Sequence, residues 1–455
     1  MMKNIFFKTF SGLLLFVSSA CGLNMQKHYK NMQSDMRQHR YDEVNVYIDK
    51  VKEKFYSKDN RLLYYMDKGL VLNHGKRYEE SNQFMEQAKT TADELWTESI
   101  GKNALAWVTT DNSLPYQGQD FEKVFLHLVS AFNYIGQEKF DGARVEARQV
   151  TNKLELYNSK YEEKNVYSDD AFARWLSGKL AATELAQAGQ AAINDAWIDY
   201  RKAVTVYQNE YIKRYKTPLP GFVVADAMHA ASVLGNDFTD DLQGLRKEFP
   251  GVQFVRQSDR KDKGEIVFIH LSGEAPYKKD EFWTATADND VIRIAYPVFV
   301  PKPHFIQSSL IHIEATGDTS RTELAQDITA IAVQNLADQM GRIQGKAIAR
   351  QVAKYIAGKA AQAAGKKAGN NALGGALQLA GAAFNAASAI TEEADKRSWI
   401  TLPSQIWVSE MLVAPGTHSL DVTFNDVYGR PVEVADLDVD VRAGHTTFVI
   451  YRTYR

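Results

Sequence analysis

Residues 62–88 read LLYYMDKGLVLNHGKRYEESNQFMEQA, and the fold of the N-terminal half can be inferred from this segment. Two segments with apolar residues at helical spacing flank a short polar joint, which predicts a helical hairpin. Small residues at three positions let the two helices approach closely, and three large side chains fill the space between them. The small residues are Gly69, Ser81 and Ala88, and the large ones are Tyr65, Tyr78 and Met85.

This hairpin resembles a tetratricopeptide repeat (TPR), a unit that stacks on its neighbours to form a solenoid. A second copy begins at Phe140 and has Ala143 and Ala147 at its small positions. Ala131 stands at the small position of the preceding helix. The resemblance implies that these alanines lie where two helices touch.

A third copy is less regular. Glu184 replaces the small residue expected in its first helix, and the segment 103–120 interrupts the array as a loop. The copies therefore predict an irregular TPR-like α-solenoid over 21–258, with a plain helical bundle as the alternative. The matching residues of the third copy are Ala196, Tyr200 and Ala203.

The N-terminus has the pattern of a secretory signal: a basic start, an apolar run over 13–17 and small residues over 18–20. Cys21 follows, so the site resembles the lipobox of bacterial lipoproteins, whose cysteine receives fatty acyl chains such as palmitate. Ser18 departs from the branched aliphatic residue that a lipobox prefers. We expect a lipoprotein signal peptide over 1–20 and lipidation of Cys21. The alternative is an ordinary secreted protein with an incidental cysteine.

Composition excludes several classes of site. Cys21 is the only cysteine in 455 residues, so disulfides, zinc–thiolate sites and cysteine nucleophiles are excluded beyond it. The formal net charge of −2 gives no indication of nucleic acid as a partner. The sequence has no histidine pair at metal-ligand spacing, no phosphate-binding glycine loop and no nucleophile motif. We therefore expect no catalytic residue, no metal and no cofactor.

Beyond residue 258 the pattern changes from helices to short strands, with Gly416 and Gly444 at turns. We expect a β-sandwich-like module whose first strands occupy 259–319 and whose last strands occupy 399–455. The predicted strands are 265–271, 291–300, 305–314, 405–413, 419–424, 437–441 and 446–451.

The segment 320–398 is expected to insert helices between the two groups of strands. A helix is predicted from Ser320 to Ile356, with Thr322 as its cap. Four basic residues spaced four apart form a stripe along it, either as a solvated face or as a contact for lipid phosphates or an anionic cell-wall polymer. These residues are Arg342, Lys346, Arg350 and Lys354.

An Ala/Gly-rich tract over 357–390 completes this insertion as the second part of a helical hairpin. It carries no charge between Lys367 and Glu392, and its small residues suit close contact between helices. We expect tight packing between helices or self-association through this tract. The alternatives are association with a membrane surface and, with less support from its composition, a membrane span.

Four segments together resemble a family of TPR-bearing lipoproteins of Gram-negative bacteria. They are the lipobox, DNSLPYQGQDFE at 111–122, ARVEAR at 143–148 and ADKRSWITLP at 394–403. The resemblance implies an anchor in the outer membrane, exposure to the periplasm and a role in the assembly of envelope components. It brings no catalytic residues.

The sequence thus predicts an α+β protein: a TPR-like α-solenoid followed by a β-sandwich-like module with an inserted Ala/Gly-rich helical hairpin. The first functional hypothesis is a lipid-anchored periplasmic scaffold that binds envelope proteins through its repeats. The aromatic residues of this half, which include Tyr116 and Trp175, are expected mainly in the core, with some of them on a concave face that receives a partner peptide. The second is a regulator that activates a cell-wall synthase or hydrolase. A carbohydrate-active enzyme is the third, and the absence of a recognisable acid pair weighs against it.

Overall fold

The computed structural model describes residues 28–101, 114–160, 167–287, 290–367 and 393–455. Within these ranges the chain is a mixed α+β protein, with most helices in the N-terminal half and every strand after residue 263. The helices are α1 (Tyr41–Lys50), α2 (Lys52–Phe55), α3 (Arg61–His74), α4 (Tyr78–Gly101), α5 (Asp120–Gly136), α6 (Phe140–Lys160), α7 (Ala171–Thr183), α8 (Leu185–Ala188), α9 (Gln190–Val206), α10 (Gly221–Leu234), α11 (Thr239–Glu248), α12 (Gln257–Arg260) and α13 (Ile328–Lys367). A helical segment over 28–36 precedes α1, and a π-helical segment, Tyr207–Tyr215, continues α9.

The helices α3 and α4 pack where the small residues of the first hairpin face each other. The hydroxyl of Ser81 donates a hydrogen bond to the carbonyl oxygen of Gly69 at 2.6 Å. Met85 and Ala88 are fully buried beside this contact. Tyr65 lies half-buried at the edge of the hairpin, with its ring 6.5 Å from that of Phe84. Tyr78 packs on the next hairpin instead, because its ring covers the position that a Cβ would take at Gly136.

In the second hairpin, α5 and α6, Ala131, Ala143 and Ala147 are all buried in the helical core. The start of α5 is fixed by a reciprocal cap, in which the Glu122 carboxylate accepts a hydrogen bond from the Gln119 amide at 2.8 Å.

In the third hairpin, α7 and α9, Ala196, Tyr200 and Ala203 are buried. The small residue that faces them is Gly178, not position 184. Glu184 lies after the end of α7 and pairs with Arg144 at 3.4 Å. Position 184 was expected because it precedes Ala196 by the twelve positions that separate Gly69 from Ser81. A longer connection that contains α8 displaces this spacing.

The strands form three sheets. Sheet A has the order β10-β1-β7-β6, sheet B is the two-stranded ribbon β2-β3, and sheet C has the order β5-β4-β8-β9. In sheet A, β1 pairs with β10 in parallel and with β7 antiparallel. The strands are β1 (Gly264–Ser272), β2 (Tyr277–Ala287), β3 (Asp290–Val300), β4 (Ser308–Ile313), β5 (Thr319–Arg321), β6 (Glu323–Asp327), β7 (Gln405–Val413), β8 (Gly416–Asn425), β9 (Pro431–Val441) and β10 (Thr446–Arg452).

Sheet A lies between the helices and sheet C, and all nine residues of β1 are buried. Its side chains alternate between two cores. Val267, Ile269 and Leu271 belong to the core shared with the helices, whereas Ile266 and Phe268 belong to the core shared with sheet C. The helices and one face of sheet A therefore share a single hydrophobic core, and the change from helices to strands after residue 258 is not a boundary between separate cores.

The predicted helix start at Ser320 is wrong, because 319–327 forms the strands β5 and β6 and α13 begins at Ile328. Thr322 does not cap this helix. Its hydroxyl accepts a hydrogen bond from the Ser309 amide at 2.8 Å, and its own amide donates to the Ser309 carbonyl at 2.9 Å. Asp327 accepts from the Ala330 amide at 2.7 Å and is the cap.

Three strands were not predicted: β2, β5 and β6. β2 contains four consecutive charged residues, so its sequence lacks the apolar pattern from which a strand is predicted. These residues are Lys278, Lys279, Asp280 and Glu281. The prediction for 305–314 was also too long, since β4 covers only Ser308–Ile313.

We expect Gly178→Ala to lower the free energy of unfolding by about 1–3 kcal/mol, the usual cost of overpacking a core. A methyl group at this position would lie 2.7 Å from Cε1 of Tyr200 and 3.1 Å from the carbonyl oxygen of Ala196. Urea denaturation followed by circular dichroism measures the change.

Gly244→Ala is the matched control, since Gly244 lies in α11 and a Cβ there would meet no described atom within 4 Å. It should raise the free energy of unfolding by about 0.5–1 kcal/mol through helix propensity. Equal effects of the two substitutions would contradict the close packing of α7 on α9.

Candidate functional site

The helices α3, α5, α7 and α10 face the protein's own sheet. Each of these helices carries a buried charged residue that contacts the C-terminal part of the chain or lies in a cluster that does so. These residues are Asp67, Glu122, Lys179 and Asp226. The expected concave face open to a peptide is therefore absent among the described residues of these helices. Trp175 and Tyr116, which belong to the aromatic residues expected mainly in the core, are both buried.

An extended segment, residues 393–404, crosses the helical layer before β7 begins, and we call it the strap. The Trp399 amide donates to Glu122 at 2.7 Å, and the Thr401 hydroxyl donates to Asp67 at 2.7 Å. Arg397 donates to the carbonyl oxygen of Leu114 at 2.9 Å. These bonds fasten the strap to α3, to α5 and to the segment before α5.

Both carboxylates under the strap are fully buried. Burial raises the pKa of Asp67 to about 7, although hydrogen bonds from Thr401 and Tyr56 hold it lower than burial alone would. Burial also raises the pKa of Glu122, opposed by the charge of Lys278 and by the hydrogen bond from Tyr116. The strap thus rests on carboxyl groups that resist ionisation.

A second buried group joins the helices to sheet A, and we call it the ammonium cluster. The Lys179 ammonium lies 2.9 Å from Asp226, 3.2 Å from Glu265 and 2.6 Å from Glu410. Arg260 pairs with Glu265 at 2.5 Å, and the Trp175 indole donates to Asp226 at 2.9 Å. Helices α7, α10 and α12 and strands β1 and β7 each contribute to the cluster.

The carboxyl groups of the cluster have opposite pKa shifts. Burial tends to raise the pKa of Glu265, but Lys179 and Arg260 outweigh it and hold that pKa at about 2. Burial raises the pKa of Glu410 well above its usual range, with a further increase from the charge of Asp226. Burial would lower the pKa of Lys179, but the three carboxylates raise it well above its usual value. Glu265 and Lys179 are therefore charged at neutral pH, whereas Glu410 ionises less readily than an exposed glutamate.

The geometry of the cluster resembles a metal site in one respect. Carboxylate oxygens of Asp226, Glu265 and Glu410 lie within 4.8 Å of one another, a set that suits a divalent cation. The Lys179 ammonium already lies among all three at hydrogen-bonding or ion-pair distance, so it supplies the positive charge that a metal would bring. The residues fit an internal ion cluster better than a metal site.

Paired carboxyl groups with separated pKa values also occur in glycosidases, where one acts as acid and the other as nucleophile or base. Glu265 is poorly placed for such a role. One of its oxygens contacts Lys179 and Arg260, and the other accepts a hydrogen bond from Thr446 at 3.1 Å. Both oxygens are occupied by internal partners, so the cluster binds helices to sheet rather than presenting a free carboxylate.

A cavity of about 610 Å³ opens beside the cluster, between α10, the segment 249–263 and the strands β5 and β7. Its walls carry both signs of charge, including Arg321 and Glu323. His229 in the wall bonds to the carbonyl oxygen of Val255 at 3.0 Å, and burial lowers its pKa to about 4. The histidine is therefore neutral at physiological pH.

The ribbon β2-β3 and the helix α13 pack on each other, and we call this unit the arm. The helix α13 has 40 residues and is about 60 Å long. Large apolar side chains are exposed on both parts of the arm. They are Tyr277, Phe282 and Trp283 on the ribbon and Val333, Ile348, Val352 and Ile356 on the helix.

The four residues of the predicted basic stripe lie in α13. Successive members are four positions apart and therefore fall about 40° apart around the helix axis. Arg342 is exposed. The positions of Lys346, Arg350 and Lys354 share its side of the helix by this spacing.

Cys21, the signal over 1–20 and the Ala/Gly-rich residues 368–390 lie outside the described residues. Among the residues that are described, no helix is both long enough and apolar enough to cross a membrane.

No protein family model matches this chain, and neither a curated protein nor a solved structure matches it either.

Sequence reasoning missed both the ammonium cluster and the carboxylates under the strap. A usable signal existed, because Lys179 and Asp226 are single charges inside otherwise small or apolar stretches. A lone charge in such a stretch is seldom left unpaired when it is buried. The partners could not be named, because Lys179 and Glu265 are 86 positions apart and Asp67 and Thr401 are 334 apart.

We expect Lys179→Met to lower the free energy of unfolding at pH 7.5 by about 3–5 kcal/mol, because the buried carboxylates lose their cation. The loss should be smaller at pH 5, where protons can replace part of the missing charge. Urea denaturation at the two pH values measures both.

The matched control for the cluster is Lys263→Met, which removes an exposed lysine from the wall of the adjacent cavity. This change should alter the free energy of unfolding by no more than about 0.5 kcal/mol. A Lys179→Met protein as stable as this control would show that the cluster does not hold the helices to the sheet.

Asp67→Asn tests the carboxyl group under the strap. The folded-state pKa of Asp67, about 7, is above its unfolded value of 3.8, so the stability that its proton brings is lost as pH rises between these values. The shift corresponds to about 4 kcal/mol at most. We expect wild type to lose stability relative to Asp67→Asn between pH 4.5 and 7.5, in urea denaturation curves measured across that range.

Nearby His28 has the opposite dependence, since burial lowers its pKa to about 4 and its contribution to stability grows with pH. It is present in both proteins, so its effect cancels in the difference. Parallel pH profiles for wild type and Asp67→Asn would contradict a buried, protonated Asp67.

Proposed function

We propose that this protein is a lipid-anchored scaffold of the bacterial cell envelope. Cys21 carries the lipid and holds the chain at the outer membrane, where it faces the periplasm. TPR-like hairpins and a β-sandwich-like module then present two surfaces to protein partners. The proposal assigns no catalytic residue and no cofactor.

The spacing of the buried small residues supports the TPR-like interpretation. In the first hairpin Gly69 is followed by Ser81 and Ala88, twelve and nineteen positions later. In the second hairpin Ala131 is followed at the same intervals by Ala143 and Val150, and all six of these residues are buried. The repetition favours hairpins of one kind stacked on one another.

The facing of sheets A and C supports the sandwich-like part. Strands from both sheets contribute to one apolar core, including Phe268 from β1, Ile311 from β4 and Phe424 from β8. Two sheets that share a core in this way are the basis of a sandwich architecture.

A partner of the repeats would bind the outer helices α6 and α9, because the inner helices are covered by sheet A and the strap. Val145 on α6 and Ile198 on α9 are both more than half exposed. Exposed large apolar side chains of this kind mark protein interaction surfaces when they cluster.

The single observation that carries the scaffold proposal is the arm. Ile348, Val352 and Ile356 are exposed at intervals of four on α13, so they form one apolar stripe. Such a stripe on a long helix suits helix–helix contact, either with an envelope protein or with a second copy of this chain. The Ala/Gly-rich residues that follow α13 would extend this contact. The basic stripe on the same helix is proposed to meet lipid phosphates or an anionic polymer.

An enzymatic role is not proposed, because the two carboxyl groups with suitable pKa values, Glu265 and Glu410, are held by Lys179. A regulatory role remains the alternative to a passive scaffold. It would follow if the partner proves to be a cell-wall synthase or hydrolase whose activity rises on binding.

The test is co-purification of the full chain from solubilised envelopes, with two surface variants compared with wild type. The arm variant replaces Ile348, Val352 and Ile356 by Ser, and the repeat variant replaces Val145 and Ile198 by Ser. We expect each variant to lose a defined subset of the partners identified by mass spectrometry. Both should fold, since all five side chains are exposed.

Cys21→Ala is the control for the anchor. It should abolish labelling by a fatty-acid probe and move the chain out of the membrane fraction. Identical partner sets for wild type and both surface variants would contradict the scaffold proposal, and equal fatty-acid labelling of Cys21→Ala would contradict the anchor.

A further inference from the structure

The carboxyl-terminal ends of the parallel strands β1 and β10 meet a third segment, residues 302–304. The Ser272 hydroxyl lies 2.9 Å from Nε2 of His304 and 3.4 Å from the hydroxyl of Thr453. The Thr453 amide donates to the carbonyl oxygen of Leu271 at 3.0 Å. These bonds bring Arg452, Glu274 and Lys302, which stand beside them in sequence, to one end of sheet A.

Arg452 is a buried cation whose hydrogen-bonding capacity is only partly used. Its residue is 5% exposed. Nη1 donates to the carbonyl oxygens of Leu271 and Thr453, and the guanidinium lies 4.0 Å from the centre of the Tyr454 ring. Nε and Nη2 have no hydrogen-bond partner among the described residues. These two nitrogens form one edge of the guanidinium, the edge that binds two oxygens of a carboxylate or phosphate side by side.

Two neighbours of Arg452 are also incompletely paired. The Lys302 ammonium lies 3.7 Å from Glu274, too far for a hydrogen bond, and has no other hydrogen-bond partner in the described chain. Glu274 uses one oxygen to bind Arg37 at 2.6 Å, while its other oxygen is buried without a partner within the described ranges. Buried polar atoms left in this state are costly, so a structure normally supplies them with a partner.

The charges around Arg452 are unbalanced. Arg37, Lys302 and Arg452 are three cations, and Glu274 is the carboxylate among them. Burial lowers the pKa of Lys302, and the charges of Arg37 and Arg452 lower it further against the opposing effect of Glu274. Burial also lowers the pKa of His304 to about 4, so this histidine adds no charge at neutral pH. The group therefore has an excess of two positive charges.

We propose that this end of sheet A is a binding site for a small tetrahedral oxyanion of the phosphate class. The free Nε–Nη2 edge of Arg452 binds two of its oxygens, and the Lys302 ammonium binds a third. Phosphate at neutral pH carries between one and two negative charges, which offsets the excess of positive charge. An oxyanion offers a separate oxygen to each nitrogen of the Arg452 edge, whereas a halide ion offers both nitrogens the same single atom.

The three cations differ in exposure, and this difference indicates where the ion enters. Arg452 is enclosed, whereas the side chains of Lys302 and Arg37 are 16% and 52% exposed. The oxyanion would reach Arg452 from the side of Lys302 and Arg37. A free inorganic phosphate and the phosphomonoester of a lipid headgroup share this chemistry. They differ because the ester oxygen of the lipid phosphate must face out of the site, whereas a free phosphate can be enclosed.

The test is isothermal titration calorimetry and thermal unfolding of the full chain, first dialysed into chloride buffer at constant ionic strength. Inorganic phosphate is the probe, with sulfate and glycerol phosphate in parallel. We expect saturable binding of phosphate and a rise in the unfolding temperature that chloride does not reproduce. Lys302→Met should weaken phosphate binding at least tenfold, and Arg452→Lys should abolish it because lysine lacks the two-nitrogen edge.

Lys279→Met is the matched control, because Lys279 is an exposed lysine paired with Glu281 on the ribbon. It should bind phosphate as wild type does. If both glycerol phosphate and phosphate bind, the proposal is supported and the site is open enough to accept a phosphate ester. If phosphate alone binds, the proposal is supported and the site encloses the free ion.

Two results would overturn the proposal. One is equal unfolding temperatures of wild type in phosphate and chloride, with no heat of binding. The other is unchanged phosphate affinity in a folded Lys302→Met protein, which would place any bound phosphate elsewhere. Lys302→Met keeps the test decisive if Arg452→Lys fails to fold, since Lys302 is the less buried of the two residues.

Discussion

Strand β1 is covered on both faces, and this constraint determines where the other layers of the protein lie. One face must be covered by the helices and the other by sheet C, because its nine residues leave no side open to water. The helices therefore cannot be an independent solenoid with a free inner surface. Their inner faces are apolar and closely packed because they cover a sheet, and the buried charges on them serve contacts within the chain.

Buried charges carry much of the specificity between the layers. An apolar surface alone would let helices slide over a sheet, since apolar contact has little directional preference. The Lys179 ammonium restricts this freedom, because it must reach Asp226 on a helix and Glu265 and Glu410 on two strands at the same time. The strap adds a second such restriction at Asp67 and Glu122. Specificity of this kind costs desolvation energy, which the completed sets of partners offset.

Local features of the fold could be predicted from the sequence. The Gly69–Ser81 contact depends on residues twelve positions apart, so its spacing is visible in a single stretch. The change from helices to strands after residue 258 and the position of β7 at 405–413 follow from periodicity alone. Each of these features depends on neighbours in sequence.

Features set by distant partners could not be predicted. Gly178 faces Tyr200 because of the longer connection before α9, and no spacing rule gives the length of that connection. Ser320 and Thr322 have good helix-start chemistry, but pairing of Thr322 with Ser309 prevails over that preference. The ammonium cluster and the Arg452 site draw on elements from opposite ends of the chain, so only the folded topology brings their residues together. The proposed N-terminal anchor is a different case, since Cys21 and the proposed signal are inferred from sequence and lie outside the described residues.

The parallel pairing of β1 with β10 has a consequence for the order of events during synthesis. Sheet A needs residues 446–452 beside residues 265–271, so β1 stays unpaired on one edge until residues 446–452 have been made. Until then the inner helices have only a partial sheet to cover, and their apolar faces are exposed to solvent. Folding dominated by such distant pairings is slow and prone to aggregation. The helical half therefore needs protection from aggregation until residue 446, which lies 181 positions after its partner Glu265, has been made.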